Sequence, residues 1–235
     1  MRREYIKVPK SFPLPLLTLG VSELKELNDE FWKNEIFHHL LAFYQNYDTK
    51  ELKDKIEREK KKKHPRTERE IAKFIRVKLN GDRQFGYMFK VFGESTNDED
   101  VEGNYDIIVH STNWKSKDFH FECKNLDNSQ DLVNKYVAYN KGHSIFDGGV
   151  YRYFNGKYAQ NLNFGGMIGF VLEGNISEIK NKILKKLEDK FDITPKGDLL
   201  SVADNSIEEN KFTFDSKHER KNKSFLIHHL LFDFN

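Results

Sequence analysis

The 235-residue chain has a single cysteine, Cys123, which excludes an internal disulfide and any multi-cysteine zinc site. It has no uninterrupted apolar stretch of about 18 residues, so no membrane-spanning helix is expected. Its first residues, Met1 to Lys7, are basic but are followed by neither an apolar segment nor a small-residue cleavage site. No secretory signal is therefore read there, and a cytoplasmic location is the expectation. There is no internal repeat and no Gly/Ser-rich linker. The pairs Gly148-Gly149 and Gly165-Gly166 are not followed by Gly-Lys-Ser/Thr, so neither opens a nucleotide-phosphate loop. The acidic stretch Asn97 to Glu102 lacks the spacing of a calcium loop and reads as a solvated loop.

What is present suits one α/β domain with an extension. Apolar residues make up 37% of the chain and aromatic residues 14%, enough for a sizeable core, while 32% charged residues predict a strongly solvated surface. The net charge of +2 says little, because it is unevenly spread. Residues 52 to 83 hold thirteen Lys and Arg against six Asp and Glu, a local excess of +7. Such a block reads either as a solvated lysine run or as a contact surface for a phosphate backbone.

Pro9, Pro13 and Pro15 suggest an extended arm, and a helical pattern begins at Ser22, a candidate N-cap, with Leu24, Leu27, Phe31 and Ile36 or Phe37 at three-to-four spacing. A charged segment from Asp48 to Lys63 ends at His64-Pro65, which places a division between an N-terminal helical extension (1–64) and the main domain (65–235). Thr67-Glu68-Arg69-Glu70 has the form of a capping box opening a helix with the apolar stripe Ile71, Phe74, Ile75 and Leu79, closed by Asn80-Gly81. The period then changes to two. Strands are expected over 85–92, 105–111 and 118–124, a helix over 129–140, and a hairpin over 150–158 turning at Asn155-Gly156. A buried strand is expected over 167–172 and an amphipathic helix over 176–191, with apolar segments at 212–214 and 224–234 that are strand or helix. The whole implies a mixed sheet flanked by helices.

Chemistry concentrates on two of these strands. In Tyr105 to Ser111, Asp106 and His110 share a face opposite Ile107 and Val109; in Asp118 to Lys124, His120, Glu122 and Lys124 share a face opposite Phe119, Phe121 and Cys123. If the strands pair, Asp106, Glu122 and Lys124 meet. Two carboxylates supply hard oxygen ligands for Mg²⁺ or Mn²⁺, and a lysine beside such an ion, its pKa lowered, suits holding or deprotonating a water. Cys123, turned inward, reads as a small core residue.

Asp106, fifteen intervening residues and then Glu122-Cys123-Lys124 resembles the D-x(n)-E-x-K signature of the PD-(D/E)xK, or restriction-endonuclease-like, nuclease superfamily. Tyr105 stands where the nominal motif has proline. The resemblance covers about residues 67 to 175. It implies a restriction-endonuclease-like core with a central mixed sheet, and a metal held by Asp106, Glu122 and the backbone carbonyl of Cys123, with Lys124 serving the water. Glu68-Arg69-Glu70-Ile71 looks like the helix start of archaeal Holliday-junction resolvases; the carboxylate role there falls to Glu68, with Glu70 as the rival. A Mg²⁺- or Mn²⁺-dependent endonuclease acting on nucleic acid, in particular double-stranded DNA, is what the resemblance implies. It also suggests a role in restriction or phage defence and a homodimer that cuts both strands.

Lys60, Lys61, Lys62, Lys63, Arg66, Arg69 and Lys73, together with Arg152 and Lys157 in the aromatic segment Phe146 to Tyr158, are the candidate nucleic-acid contacts, joined by a C-terminal cluster of Lys217, Arg220, Lys221 and Lys223. His110 and His120 are further candidates for a phosphate contact or proton transfer. The adjacent pairs His38-His39 and His228-His229 cannot each hold one ion, since neighbours in a strand or helix face apart. The alternative class is a non-catalytic module of the same fold that binds nucleic acid or a partner protein.

Overall fold

The structure is a computed structural model, and it describes residues 24–93, 106–115, 117–137, 148–155, 158–159, 161–191, 199–204 and 212–235. The proline arm, Ser22, Tyr105, Lys141, Phe146, Gly156, Lys157 and the acidic loop 97–102 lie outside these residues.

Among the described residues the helices α1 (Asp29–Asn46), α2 (Thr49–Lys60), α3 (Thr67–Gly81) and the short α4 (Arg83–Met88) precede the sheet. Then follow β1 (Lys90–Phe92), β2 (Ile107–His110), β3 (Asp118–Leu126), α5 (Gln130–Val137), a 3-10 turn at Val150–Tyr153, β4 (Phe164–Val171), α6 (Ile176–Phe191), β5 (Leu199–Asp204), β6 (Thr213–Arg220) and β7 (Lys223–Asp233). The seven strands form one mixed sheet in the order β1-β2-β3-β4-β7-β6-β5. Both joints of β4, to β3 and to β7, are parallel, and the outer pairs are antiparallel. A parallel strand covered on both faces has no solvent side, and β4 (Phe-Gly-Gly-Met-Ile-Gly-Phe-Val) is buried at every residue. Among the described residues no helix is long and apolar enough to cross a membrane.

Each face of the sheet carries its own core. On one, α1 and α3 set Trp32, Ile36, Phe37, Ile71, Phe74 and Ile75 against Phe119, Phe121, Cys123, Ile168 and Leu230. On the other, α5 and α6 set Val133, Tyr136, Val137, Ile179 and Ile183 against Leu126, Met167, Val171 and Ile227. The N-terminal helix α1 thus packs into the same core as the catalytic-candidate strands, its Phe37 ring 5.6 Å from that of Phe119.

Several local expectations are corrected. Of the described residues the first long helix starts at Asp29, where the Asn28 side chain accepts the Phe31 N–H at 2.9 Å; a start at Ser22 lies outside the described residues. Thr67 is the first helical residue of α3 and not its cap; Arg66 holds the cap position without a side-chain bond, so no capping box forms. The first half of the expected strand at 85–92 is helix, because Asp82 caps the Phe85 N–H at 2.8 Å and nucleates α4; only Lys90–Phe92 is strand. Of the expected hairpin at 150–158, Val150–Tyr153 is a 3-10 turn and not a strand, while Gly156 and Lys157 lie outside the described residues. The tight hairpin lies instead between β6 and β7, where Lys221 and Asn222 both have positive φ, as a type I′ turn requires.

Candidate active site

The site exists because β2 stops short. β2 begins at Ile107, paired with Phe121, so residues 122–126 of β3 extend past it with that edge open among the described residues, while the other edge pairs with β4. Backbone N–H groups on an open edge need acceptors. Two carboxylates supply them: Asp106 Oδ2 accepts the Cys123 N–H at 2.7 Å, and Glu68 Oε2, from the first turn of α3, accepts the Asn125 N–H at 3.1 Å. The register Ile108↔His120 and His110↔Asp118 puts the even-numbered residues of both strands on one face, as the alternation of the sequence implies.

Lys124 reaches into this edge. Its Nζ lies 2.6 Å from Glu122 Oε1, 3.0 Å from Glu68 Oε1 and 2.7 Å from the carbonyl of Cys123. Glu122 is only 1% exposed, a costly place for a carboxylate unless every oxygen is met. They are met: Arg152 Nη1 donates to Oε1 at 2.7 Å and the Tyr158 hydroxyl to Oε2 at 2.9 Å, with Arg152 also donating to the Tyr158 hydroxyl at 2.9 Å. Structure therefore brings Glu68, Asp106, Glu122, the Cys123 carbonyl and Lys124 into one cluster. It is Glu68, not its rival Glu70, that joins the cluster through hydrogen bonds.

The electrostatics follow from burial. Asp106 is pushed up to about 7, chiefly by burial and then by the charge of Glu122, with Lys124 opposing. For Lys124, burial alone would lower the value, but Glu122, Glu68 and Asp106 outweigh it and hold the ammonium above its ordinary range. The lowered lysine expected from the sequence is thus reversed: with three carboxylates around it, Nζ keeps its proton. Burial beside Glu122 also raises the Tyr158 hydroxyl, so it stays a donor, and burial raises the Cys123 thiol, consistent with a packed core residue.

Two partners of Glu122 were not read for this role. Arg152, expected to touch nucleic acid, turns inward to Glu122, and Tyr158, grouped with a stacking cluster, is fully buried along with Tyr153. Arg152 lies in the 3-10 turn and Tyr158 in the segment that follows it, which is fixed by Arg220. That guanidinium donates to the carbonyls of Tyr153 (3.0 Å), Tyr158 (3.3 Å), Ala159 (2.8 Å) and Leu162, and lies 3.9 Å over the Phe225 ring. Arg220 is therefore a clamp, not a substrate contact. Gly165 completes the seat: any Cβ there would overlap the Tyr153 ring, whose hydroxyl donates to the Gly166 carbonyl at 2.8 Å.

The histidines lie apart. His110 Nδ1 is 2.6 Å from Asp118 Oδ1 at the far end of the β2–β3 pair, and His120 Nε2, two residues from Glu122, is 4.0 Å from Asp118 Oδ2. His228 bonds Asp215 at 2.8 Å, while His229 bonds Tyr136 (3.0 Å) and Ser216 (2.8 Å), in keeping with their facing apart. Of the basic residues, Lys61, Lys63, Arg66, Arg69 and Lys73 are exposed, while Lys60 pairs with Glu57 at 3.4 Å and Lys62 with Glu59.

For a divalent ion the donor chemistry fits: carboxylate and carbonyl oxygens suit Mg²⁺ or Mn²⁺. The Lys124 ammonium stands among three of those oxygens, the kind of surroundings a cation selects. Among the described residues no group of three or more His, Cys, Asp and Glu side chains is arranged as a ready metal cage. Comparison with protein-family models, with curated proteins and with solved structures finds no match.

Proposed function

We propose that the chain is a divalent-cation-dependent phosphodiesterase acting on nucleic acid, with DNA as the substrate. The observation that carries this reading is the convergence of Glu68, Asp106, Glu122 and Lys124, from one helix and two strands, on the open edge of β3. The order of elements supports it too: a helix with a carboxylate, three antiparallel strands, a helix, and a strand parallel to the third, as the PD-(D/E)xK resemblance implies.

Asp106, Glu122 and the Cys123 carbonyl are the groups that would hold the ion, which when bound polarises the phosphoryl oxygen and acidifies a water. Everything else is positional. Lys124, held protonated at Nζ, donates hydrogen bonds and carries positive charge toward an anionic phosphate. Glu68 fixes the ammonium by pairing with it, and Arg152 with Tyr158 fixes the Glu122 carboxylate, so that the reacting groups are oriented beforehand.

A second reading rests on one observation: both oxygens of Glu122 already have partners, as in a self-compensated ion-pair network. That arrangement would also suit a module that binds nucleic acid without cutting it. Plasmid cleavage in Mg²⁺ or Mn²⁺ separates the two. The native chain is expected to nick or linearise the plasmid, and Asp106→Ala and Lys124→Ala to lose about a hundredfold or more of the rate. Equal cleavage by all three proteins would sink the hydrolytic reading; retarded mobility of the plasmid without cleavage would favour the module.

A further inference from the structure

Beside the acid cluster lies a polar cavity of about 250 Å³ whose described lining is Arg69, Arg76, Gly93 and Asp106. We propose that this cavity binds a backbone phosphate of the nucleic acid, adjacent to the one that reacts, and so sets the register of the strand on the site. The proposal rests on the nucleic-acid reading above and names the pocket by which that substrate is held.

Arg69 and Arg76 are seven residues apart on α3, about 10 Å along the axis, and on nearly the same side of the helix. Their long side chains converge on one cavity. Two guanidinium groups present planar, multi-donor surfaces that match phosphate oxygens better than a lysine does. Arg76 is seated: its Nη1 donates to the backbone carbonyl of Asp106, which ties the guanidinium to the residue at the head of β2. Glycine at 93 permits this seat, since a Cβ there would lie 2.5 Å from the Arg76 Cζ. The same side of α3 continues the cationic line, with Arg66 and Lys73 exposed in a series at 66, 69, 73 and 76. The line spans about 15 Å, the reach of two to three phosphates along one strand.

Placing an anion pocket against Asp106 has a consequence. Without a cation the carboxylate opposes the phosphate; with one, both charges are satisfied by the same ion. Phosphate and cation binding should therefore strengthen each other reciprocally.

The test uses a fluorescein-labelled DNA duplex and fluorescence anisotropy in EDTA, where nothing is cut. Arg69→Gln and Arg76→Lys are each expected to weaken binding about tenfold. The double variant should be little weaker than either single, because a phosphate that loses one arm of a clamp loses much of the other. For Arg69→Gln the salt dependence of log K should fall by about one. Lys61→Gln and Lys63→Gln, which contact no common pocket, are expected to combine additively. Unchanged affinity and salt slope in both single variants, or effects of Arg69 and Arg76 that multiply to about a hundredfold, would overturn the pocket even if the native chain cleaves DNA. The expected coupling in a protein that never cleaves would keep the pocket and discard the hydrolytic reading. Absence of any DNA binding by the native chain overturns both.

Discussion

Arg220 offers the most direct test of how the fold builds the site. Its guanidinium is the common donor to four carbonyls of the segment from Tyr153 to Leu162. That segment includes Ala159, a non-glycine residue at φ +50°, a conformation that costs roughly 1 kcal/mol and persists only where its surroundings impose it. A hydrogen bond from a charged donor contributes about 1.5–3 kcal/mol when its loss leaves acceptors unmet, but four bonds from one group are not independent, and the freed carbonyls partly rehydrate. Arg220→Met, which keeps the stem against Phe225, is therefore expected to cost about 3 kcal/mol, or roughly 6–12 °C in Tm for a chain of this size. Arg220→Lys keeps the charge without the planar fork and should recover less than half of that.

Thermal and urea unfolding measure the loss. A second readout distinguishes a clamp for the site from a generic staple. At 25 °C, where the variant is still folded, cleavage should fall further than the folded fraction predicts, because Arg152 and Tyr158 no longer fix the Glu122 carboxylate. The fall should appear in kcat rather than KM. A Tm shift under 2 °C, or full activity per folded molecule, would refute the assignment of Arg220 as the clamp.

Two further predictions are independent of it. Tyr158→Phe removes the donor to Glu122 Oε2 while keeping the ring, and should cost about 1–2 kcal/mol by urea titration and about tenfold in cleavage rate; unchanged values in both would show that this bond is dispensable. His39, on α1, is pushed down to about 4, chiefly by burial and also by His38, with Asp82 opposing. The unfolded chain, with an ordinary value near 6.5, takes up the proton first. This contribution to stability is therefore complete above about pH 6.5 and is lost as pH falls toward 4, up to about 3 kcal/mol in all. His39→Leu should flatten the stability curve over that window, and an unchanged curve would dispose of the assignment.

The strands of the site were legible because alternation is a short-range signal: Ile107, Val109, Phe119, Phe121 and Cys123 are all buried, and the pairing Ile107↔Phe121 follows from their phase. The helices α3 and α6 were legible for the same reason at the helical period. What was missed depended on partners distant in sequence or on a single cap. Nothing near Tyr158 reveals that its hydroxyl serves Glu122, 36 positions away, or that Arg220 serves its carbonyl, 62 positions away. The apolar residues 85–92 match strand and helix equally, and the deciding residue was Asp82, whose cap went unread. Asn155-Gly156 matched the statistics of a hairpin, but burial of Tyr153 and Tyr158 and the grip of Arg220 hold the adjoining segment as a 3-10 turn, while Lys221-Asn222, with weaker sequence preference, makes the actual hairpin.

The residue choices at the open edge bear on which functional reading is stronger. An edge needing only two acceptors for the Cys123 and Asn125 N–H groups could be closed by neutral side chains, and the buried network of Glu122 with its partners could as a whole be replaced by apolar side chains at little loss of stability. Instead three carboxylates, Glu68, Asp106 and Glu122, stand there with Lys124 and Arg152 paired to them and Arg76 bonded to the Asp106 carbonyl. Lys124 and Arg152 are both spent on Glu122, and Lys124 is shared with Glu68. Asp106 Oδ2 meets a backbone N–H, and its rise to about 7 follows chiefly from burial and then from the charge of Glu122. On the proposed reading, that buried carboxylate is the group that would gain most from a cation supplied by solution, whereas a self-compensated binding module gives no reason to bury it there.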